Sequence, residues 1–245
     1  MNGLRVRERR SPNHSDRGAT PCVDMLVLHY TGMKSAAAAL DRLCDPAARV
    51  SAHYLVEEDG GVWRLVAEGR RAFHAGISCW AGERDLNRVS IGVEIANPGH
   101  EWGYRPFPEP QMQAVKRLCR DILSRHPIPS HRIVGHSDIA PDRKSDPGEL
   151  FDWASLARAG IGLWPEPGAR PSTAPVDRAA AIAGLGLIGY YLTPAIETAV
   201  VSAFQRRFRP ARCDGVLDPE TAGRIVEVAA AFLDAARVWG GVLPA

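Results

Sequence analysis

Residues Met25-Leu26-Val27-Leu28 form an unbroken apolar run that ends on His29. A run this short and this apolar reads as a strand buried on both faces, over 23–31. SAAAALDRLC at 35–44 is rich in helix formers and predicts a short helix. SAHYLVEEDGGVWRLV at 51–66 predicts a hairpin, turning at Asp59-Gly60-Gly61 where positive φ is tolerated. A further strand is expected over 88–97. From 110 to 126, Met112, Val115, Leu118, Cys119, Ile122 and Leu123 recur at helical spacing and make one apolar stripe. Residues 132–135 read as a short strand that delivers His136 to its end. Strands alternating with helices predict an α/β layer architecture.

The proline-rich stretch 165–176 has no apolar period and reads as a linker. Beyond it the chain is Ala-rich, and three helices are expected, at about 177–188, 194–208 and 219–238. Thr193-Pro194 and Asp218-Pro219 each place a capping residue before proline, which suits a helix start. The division expected is a basic arm over 1–22, a catalytic unit over 23–164 and a small three-helix domain over 177–245. On that division a chain ending near Arg170 folds and keeps its activity. If the helices are instead a cap on the catalytic unit, their loss exposes apolar surface.

Bulk properties exclude several classes. With 245 residues, 45% hydrophobic and 24% charged, the chain reads as an ordinary globular protein. A net charge of +2 is too small to suggest nucleic acid as the partner. No apolar stretch reaches the ~18 residues of a membrane span. The first 22 residues are basic and lack the apolar segment of a secretory signal, so a flexible arm or a surface strap is expected there. The five cysteines are odd in number and without CxxC spacing. A reducing compartment follows, and with it a cytoplasmic protein; the periplasm or cell envelope is the alternative.

The chemistry lies in a few side chains. His136 and Asp146 stand ten positions apart in GHSDIAPDRKSDPG. With His29 they offer two imidazoles and one carboxylate, a donor set that a catalytic zinc takes while leaving one position open. Each alone would be an ordinary loop polar or strand-end histidine. Lys144 lies two residues before Asp146 and, on an extended chain, points the same way. Its ammonium would stand where an oxyanion forms. Glu94 interrupts the apolar strand SIGVEIAN and is the candidate general base, its pKa raised if buried.

These blocks also carry a resemblance. MLVLHYT, the triplet His74-Ala75-Gly76, SIGVEIAN and GHSDIAPDRKSDPG, in this order from about Val23 to Trp164, resemble the zinc-dependent N-acetylmuramoyl-L-alanine amidases. The resemblance is to their recycling and outer-membrane branch. It implies a mixed central sheet flanked by helices, one zinc per chain on His29, His136 and Asp146, and catalysis by Glu94 and Lys144. The reaction implied cuts the amide between N-acetylmuramic (or 1,6-anhydro-N-acetylmuramic) acid and L-alanine of the peptidoglycan stem. Distant relatives use a tyrosine near SAHYL; Ala52 stands at the best-matching position here, which leaves more to Glu94. His74 is expected to contact substrate, and Asn87, Trp80 and Arg88 to bind the peptide carboxylates or the sugar. His53 is expected to be structural. The segment AFQRRFRPARCDGVLDPETAGRI resembles a small three-helix peptidoglycan-binding domain. Two alternatives share parts of this pattern: a recognition protein without catalysis, and a zinc peptidase acting within the stem. Polymeric murein and soluble muropeptides both stay open as substrate.

Overall fold

Two faces of one sheet organise the chain, which a computed structural model describes over residues 5–19, 22–165 and 176–239. The strands are β1 (Val6–Glu8), β2 (His14–Asp16), β3 (Met25–Tyr30), β4 (Tyr54–Val56), β5 (Val62–Arg64), β6 (Arg70–Ala72), β7 (Ser90–Ile95) and β8 (Ile133–Gly135). Six of them form a mixed sheet in the order β1-β5-β4-β7-β3-β8, with β4 and β5 the antiparallel pair; β2 and β6 form a separate two-stranded ribbon. The helices are α1 (Ala36–Cys44), α2 (Leu86–Val89), α3 (Gly99–Trp102), α4 (Glu109–Arg125), α5 (His136–Ile139), α6 (Trp153–Arg158), α7 (Arg178–Ile188), α8 (Glu197–Phe208) and α9 (Pro219–Trp239). This is the mixed sheet with flanking helices expected from the sequence.

Local chemistry accounts for the boundaries. The Ser35 hydroxyl accepts from the Ala38 amide and starts α1. Asp59 Oδ1 accepts from the Gly61 amide at 2.8 Å, and Gly60 adopts φ +88°, closing the β4–β5 hairpin. Asp218 caps α9 through the Thr221 amide at 2.9 Å. Helix α8 begins at Glu197, not at Pro194, because Thr193–Ile196 closes as a turn, the Ile196 amide donating to the Thr193 carbonyl at 3.1 Å.

Alternation along the central strands divides the core. Leu26 and Leu28 of β3, with Ile91, Val93 and Ile95 of β7, face α4 and its stripe of Met112, Val115, Leu118, Cys119 and Ile122. Met25, Val27 and Val134 face the other way, into a cluster that holds Ala75, Trp80, Leu86 and Ile139 and, from α7–α9, Ala181, Leu185, Val200, Phe204, Ile225 and Phe232. Leu55 on β4 meets Ala39, Leu40 and Leu43 of α1 on that second face. The helices beyond the linker join this cluster, with Tyr190 and Phe232 edge-on to Trp80. They also carry a buried ion pair: Arg207 Nη1 donates to Asp138 Oδ2 at 2.7 Å, both side chains at most 2% exposed. The boundary expected near Trp164 is a packed one: Trp80 lies edge-on to Tyr190 and Phe232, a contact that the linear pattern does not name. Most of the linker, 166–175, lies outside the described residues.

Of the two expectations for the N-terminus, the structure selects the strap. Strand β1 lies parallel on β5 at the sheet edge, and β2 pairs with β6. Arg17, 2% exposed, anchors the strap by donating to the carbonyls of Glu68, Asn87, Arg88 and Ser90 at 2.7–3.1 Å.

Candidate active site

Strands β3, β7 and β8 run parallel and end together, and their carboxyl ends deliver the polar side chains, as open α/β sheets commonly do. His29 and Glu94 are register partners on β3 and β7, so they stand side by side on one face. His136 follows β8 directly, as the first residue of α5. Asp146 returns in the loop after α5, tied there by the Ser137 amide donating to its carbonyl at 2.8 Å.

His29 Nδ1, His136 Nδ1 and Asp146 Oδ2 converge, with separations of 2.9, 3.1 and 3.1 Å. All three residues are buried. Their outer partners settle the protons. His136 Nε2 lies 3.2 Å from the Ala75 carbonyl, which can only accept, so Nε2 carries the hydrogen and Nδ1 a lone pair. Ser90 Oγ donates to the Leu86 carbonyl at 2.5 Å and so accepts from His74 Nε2 at 3.1 Å. His74 Nδ1 then accepts from His29 Nε2 at 3.1 Å, leaving a second bare Nδ1 facing Asp146. Two lone pairs and a carboxylate pointing at one another call for a cation between them. The donor set fits a divalent metal with nitrogen and oxygen ligands.

The electrostatics agree with that accounting. Burial, then the neighbouring His136, pushes the His29 imidazole down to about 4. Burial, then His29, holds His74 well below the usual imidazole range. Burial alone would push the Asp146 carboxyl up, but His136 and His29 hold it well below the usual carboxylate range. Glu94 goes the other way: burial, reinforced by the Asp146 charge and opposed by Lys144, raises it well above the usual range. Glu94 Oε2 is buried with no hydrogen-bond partner among the described residues. It lines the cleft that opens over His136 and Asp146, together with Lys144, His74, Arg42, Phe73, Arg143, Tyr30 and Ser145.

His74 lies in that cleft wall, yet both its ring nitrogens are taken by His29 and Ser90. The ring can lie flat against β7 because residue 92 is glycine; a Cβ there would sit 2.4 Å from His74 Cγ. Asn87 Oδ1 accepts from the amides of His74 and Ala75 at 3.0 and 2.9 Å, so it shapes the loop carrying His74. His53 is buried away from the ligands, its Nδ1 accepting from the Gly92 amide and its Nε2 beside Arg17 and the Arg70 carbonyl.

Two expected substrate contacts need correction. Trp80 is 1% exposed and packs edge-on to Tyr190 and Phe232, so it is core beneath α7–α9 and has no face for a sugar. Arg88 does not line the cleft; its carbonyl receives Arg17. Conversely, Tyr30, Ser145 and His100 were not singled out from sequence as a group. The Tyr30 hydroxyl lies 3.0 Å from Ser145 Oγ and 2.9 Å from His100 Nδ1, at the rim of the cleft. Arg42 had no signal in the sequence, since only the packing of α1 against β4 brings it to the cleft.

Known proteins are similar to this chain in sequence and in fold. Residues 18–149 match the family described as N-acetylmuramoyl-L-alanine amidase. The N-acetylmuramoyl-L-alanine amidase AmiD of Escherichia coli (strain K12) is 39% identical over 229 residues, covering 84% of this chain and 82% of that protein. The 1,6-anhydro-N-acetylmuramyl-L-alanine amidase AmpD of Haemophilus influenzae is 33% identical over 165 residues, covering 60% of this chain and 88% of that one. Among solved structures, E. coli AmiD in complex with the substrate anhydro-N-acetylmuramic acid-L-Ala-D-γ-Glu-L-Lys superposes with a TM-score of 0.77 at 36% identity, covering 92% of both chains. AmpDh3 from Pseudomonas aeruginosa superposes with a TM-score of 0.75 at 34% identity, covering 91% of this chain and 95% of that one.

Proposed function

This chain belongs to the N-acetylmuramoyl-L-alanine amidase family, and we propose that it hydrolyses the amide between (1,6-anhydro-)N-acetylmuramic acid and L-alanine of peptidoglycan stem peptides, in peptidoglycan turnover, using one zinc ion. The observation that carries this reading is the convergence of two imidazole lone pairs and a carboxylate, with a glutamate on the adjacent strand whose buried Oε2 has no partner among the described residues.

His29, His136 and Asp146 would hold the zinc. Bound there, zinc would polarise the scissile carbonyl and lower the pKa of water toward ~7. Glu94 has the environment of a proton shuttle: its raised pKa lets it take a proton from the attacking water and return it to the departing nitrogen of L-alanine. Lys144 sets an ammonium against the oxygen that gains charge in the tetrahedral transition state. Arg42 and Arg143 extend the positive lining of the cleft and suit the carboxylates of a stem peptide. The same lining, and the substrate in the AmiD complex, favour soluble anhydro-muropeptides as what the cleft takes.

Mass spectrometry of a purified anhydro-muropeptide incubated with the zinc-loaded protein tests the reading. Release of the whole stem peptide, with the sugar keeping its lactyl acid, is the expected result. A shortened stem would make the protein a peptidase, and an unchanged muropeptide would make it a recognition protein.

A further inference from the structure

One buried polar group takes no part in the chemistry above. Asp138 lies on α5, two residues after His136, and is 1% exposed. Its Oδ2 accepts from the Gly135 amide at 2.8 Å and from Arg207 Nη1 at 2.7 Å, and its Oδ1 accepts from the Tyr190 hydroxyl at 2.7 Å. Arg207 Nη2 donates to the Ile133 carbonyl at 3.0 Å. Its guanidinium lies 4.3 Å over Trp153 and 4.8 Å over Phe208. Arg207 comes from α8, and Tyr190 follows α7.

We propose that the C-terminal helices hold the metal site in shape, with Arg207 and Tyr190 as positioning residues that act on His136 through Asp138. This rests on reading His29, His136 and Asp146 as metal ligands. The geometry is a bracket. Arg207 grips the segment from Ile133 to Asp138 at both ends, and His136 sits inside it. Within the bracket the Gly135 amide is fixed by the same carboxylate, so the backbone that aims the His136 ring is held at three points.

Docking of the helices does not require this pair. Leu185, Phe204 and Phe232 are already buried in one apolar cluster with Trp80, and Phe232 and Tyr190 pack edge-on to that ring. A buried ion pair is often no more stabilising than apolar residues of the same shape, because desolvating both charges offsets their attraction. What it adds is direction: a planar guanidinium with a stacked face and two directed donors permits one arrangement of the strand end. Outer groups that orient a metal-binding side chain typically change metal affinity by about 10–100-fold when lost.

The test uses the full chain and reads zinc affinity, by competition with a chromophoric chelator, and the visible absorption of the cobalt(II)-substituted protein. Tyr190→Phe removes one bond to Asp138, Arg207→Met removes both guanidinium bonds, and Arg207→Lys keeps one donor. Ile225→Val trims the contact between α9 and α7, away from Asp138. Zinc affinity is expected to fall about tenfold or more in Arg207→Met, with Lys between it and wild type. Tyr190→Phe should show a smaller loss in the same direction, with an altered cobalt spectrum. Ile225→Val should lower Tm and leave both readouts unchanged. If Arg207→Met does not fold, Tyr190→Phe decides. Wild-type zinc affinity and cobalt spectrum in folded Tyr190→Phe overturn the proposal. So does an equal loss of affinity in Ile225→Val at matched Tm. Failure of the metal reading itself looks different: the wild-type chain would then bind no stoichiometric zinc.

Discussion

His74 Nδ1 lies 3.1 Å from His29 Nε2, so the group behind one metal-binding imidazole is itself an imidazole. The chain of donors runs on to Ser90 and ends on the Leu86 carbonyl, which fixes every proton along it. His29 is thereby held as the tautomer with its lone pair inward.

His74→Leu removes that acceptor and leaves the buried Nε2 hydrogen of His29 without a partner. Zinc affinity should fall by about 10–100-fold, measured by chelator competition, while far-UV circular dichroism stays native. His29→Ala and Asp146→Ala should each lose most of the bound metal, and chelation of the wild-type chain should abolish a turnover that added zinc restores.

Glu94→Gln keeps the volume of the side chain and removes its basicity. It should retain zinc and lose turnover by roughly 10²–10⁴-fold. Lys144→Ala should likewise keep metal and lose about 10²–10³-fold in kcat. Normal kcat in Glu94→Gln would remove the glutamate from the chemistry.

Of the site, most was legible in the sequence, and the reason is strand geometry. His29 closes an apolar run and Glu94 interrupts one, each near the end of a parallel strand, so position along the run placed them in space. Lys144, Asp146 and His136 lie within eleven residues of chain. What could not be read depended on partners far away in sequence. Trp80 stands six residues after His74 and looked like a neighbour of the substrate, but its face belongs to Tyr190 and Phe232. Asn87 entered as a substrate contact, whereas its carbonyl oxygen is spent on two amides of the His74 loop. Arg17 looked like one more charge in a basic arm, and only its four carbonyl partners make it an internal anchor. The proline-rich linker suggested separable units, and it gave no sign that Tyr190 and Phe232 beyond it would pack on Trp80.

Shortening the chain at Arg170 strips Tyr190 and Phe232 from Trp80 and Arg207 from Asp138. The shortened protein should aggregate or bind a dye for exposed apolar surface, since a bared core face is an association site. Within the full chain, Phe204→Ala should cost about 3–5 kcal/mol in urea unfolding, as expected for a buried ring at the centre of a core. A soluble, monomeric and zinc-binding fragment ending at Arg170 would show that the helices are dispensable.

Glu68 gives a stability signature in acid. Burial pushes its carboxyl up, but hydrogen bonds from Arg125, His126 and Tyr54 outweigh this and hold it down to about 2. An unfolded glutamate titrates near ~4.3, so the folded form gains stability that is complete above that value and lost as pH falls toward about 2. Tm should drop across this window, and Glu68→Gln should flatten the slope while lowering Tm at neutral pH.

The bracket around His136 also sets an order of events when the chain is made. Asp138 is synthesised 69 residues before Arg207. At about 5–20 residues per second, that gap lasts on the order of 3–14 s. Throughout it, strands β3, β7 and β8 are all present, yet Trp80 has neither Tyr190 nor Phe232 against it and Asp138 has no guanidinium to answer it. The nascent chain thus owns every metal ligand before it owns the helix whose Arg207 braces the segment carrying His136.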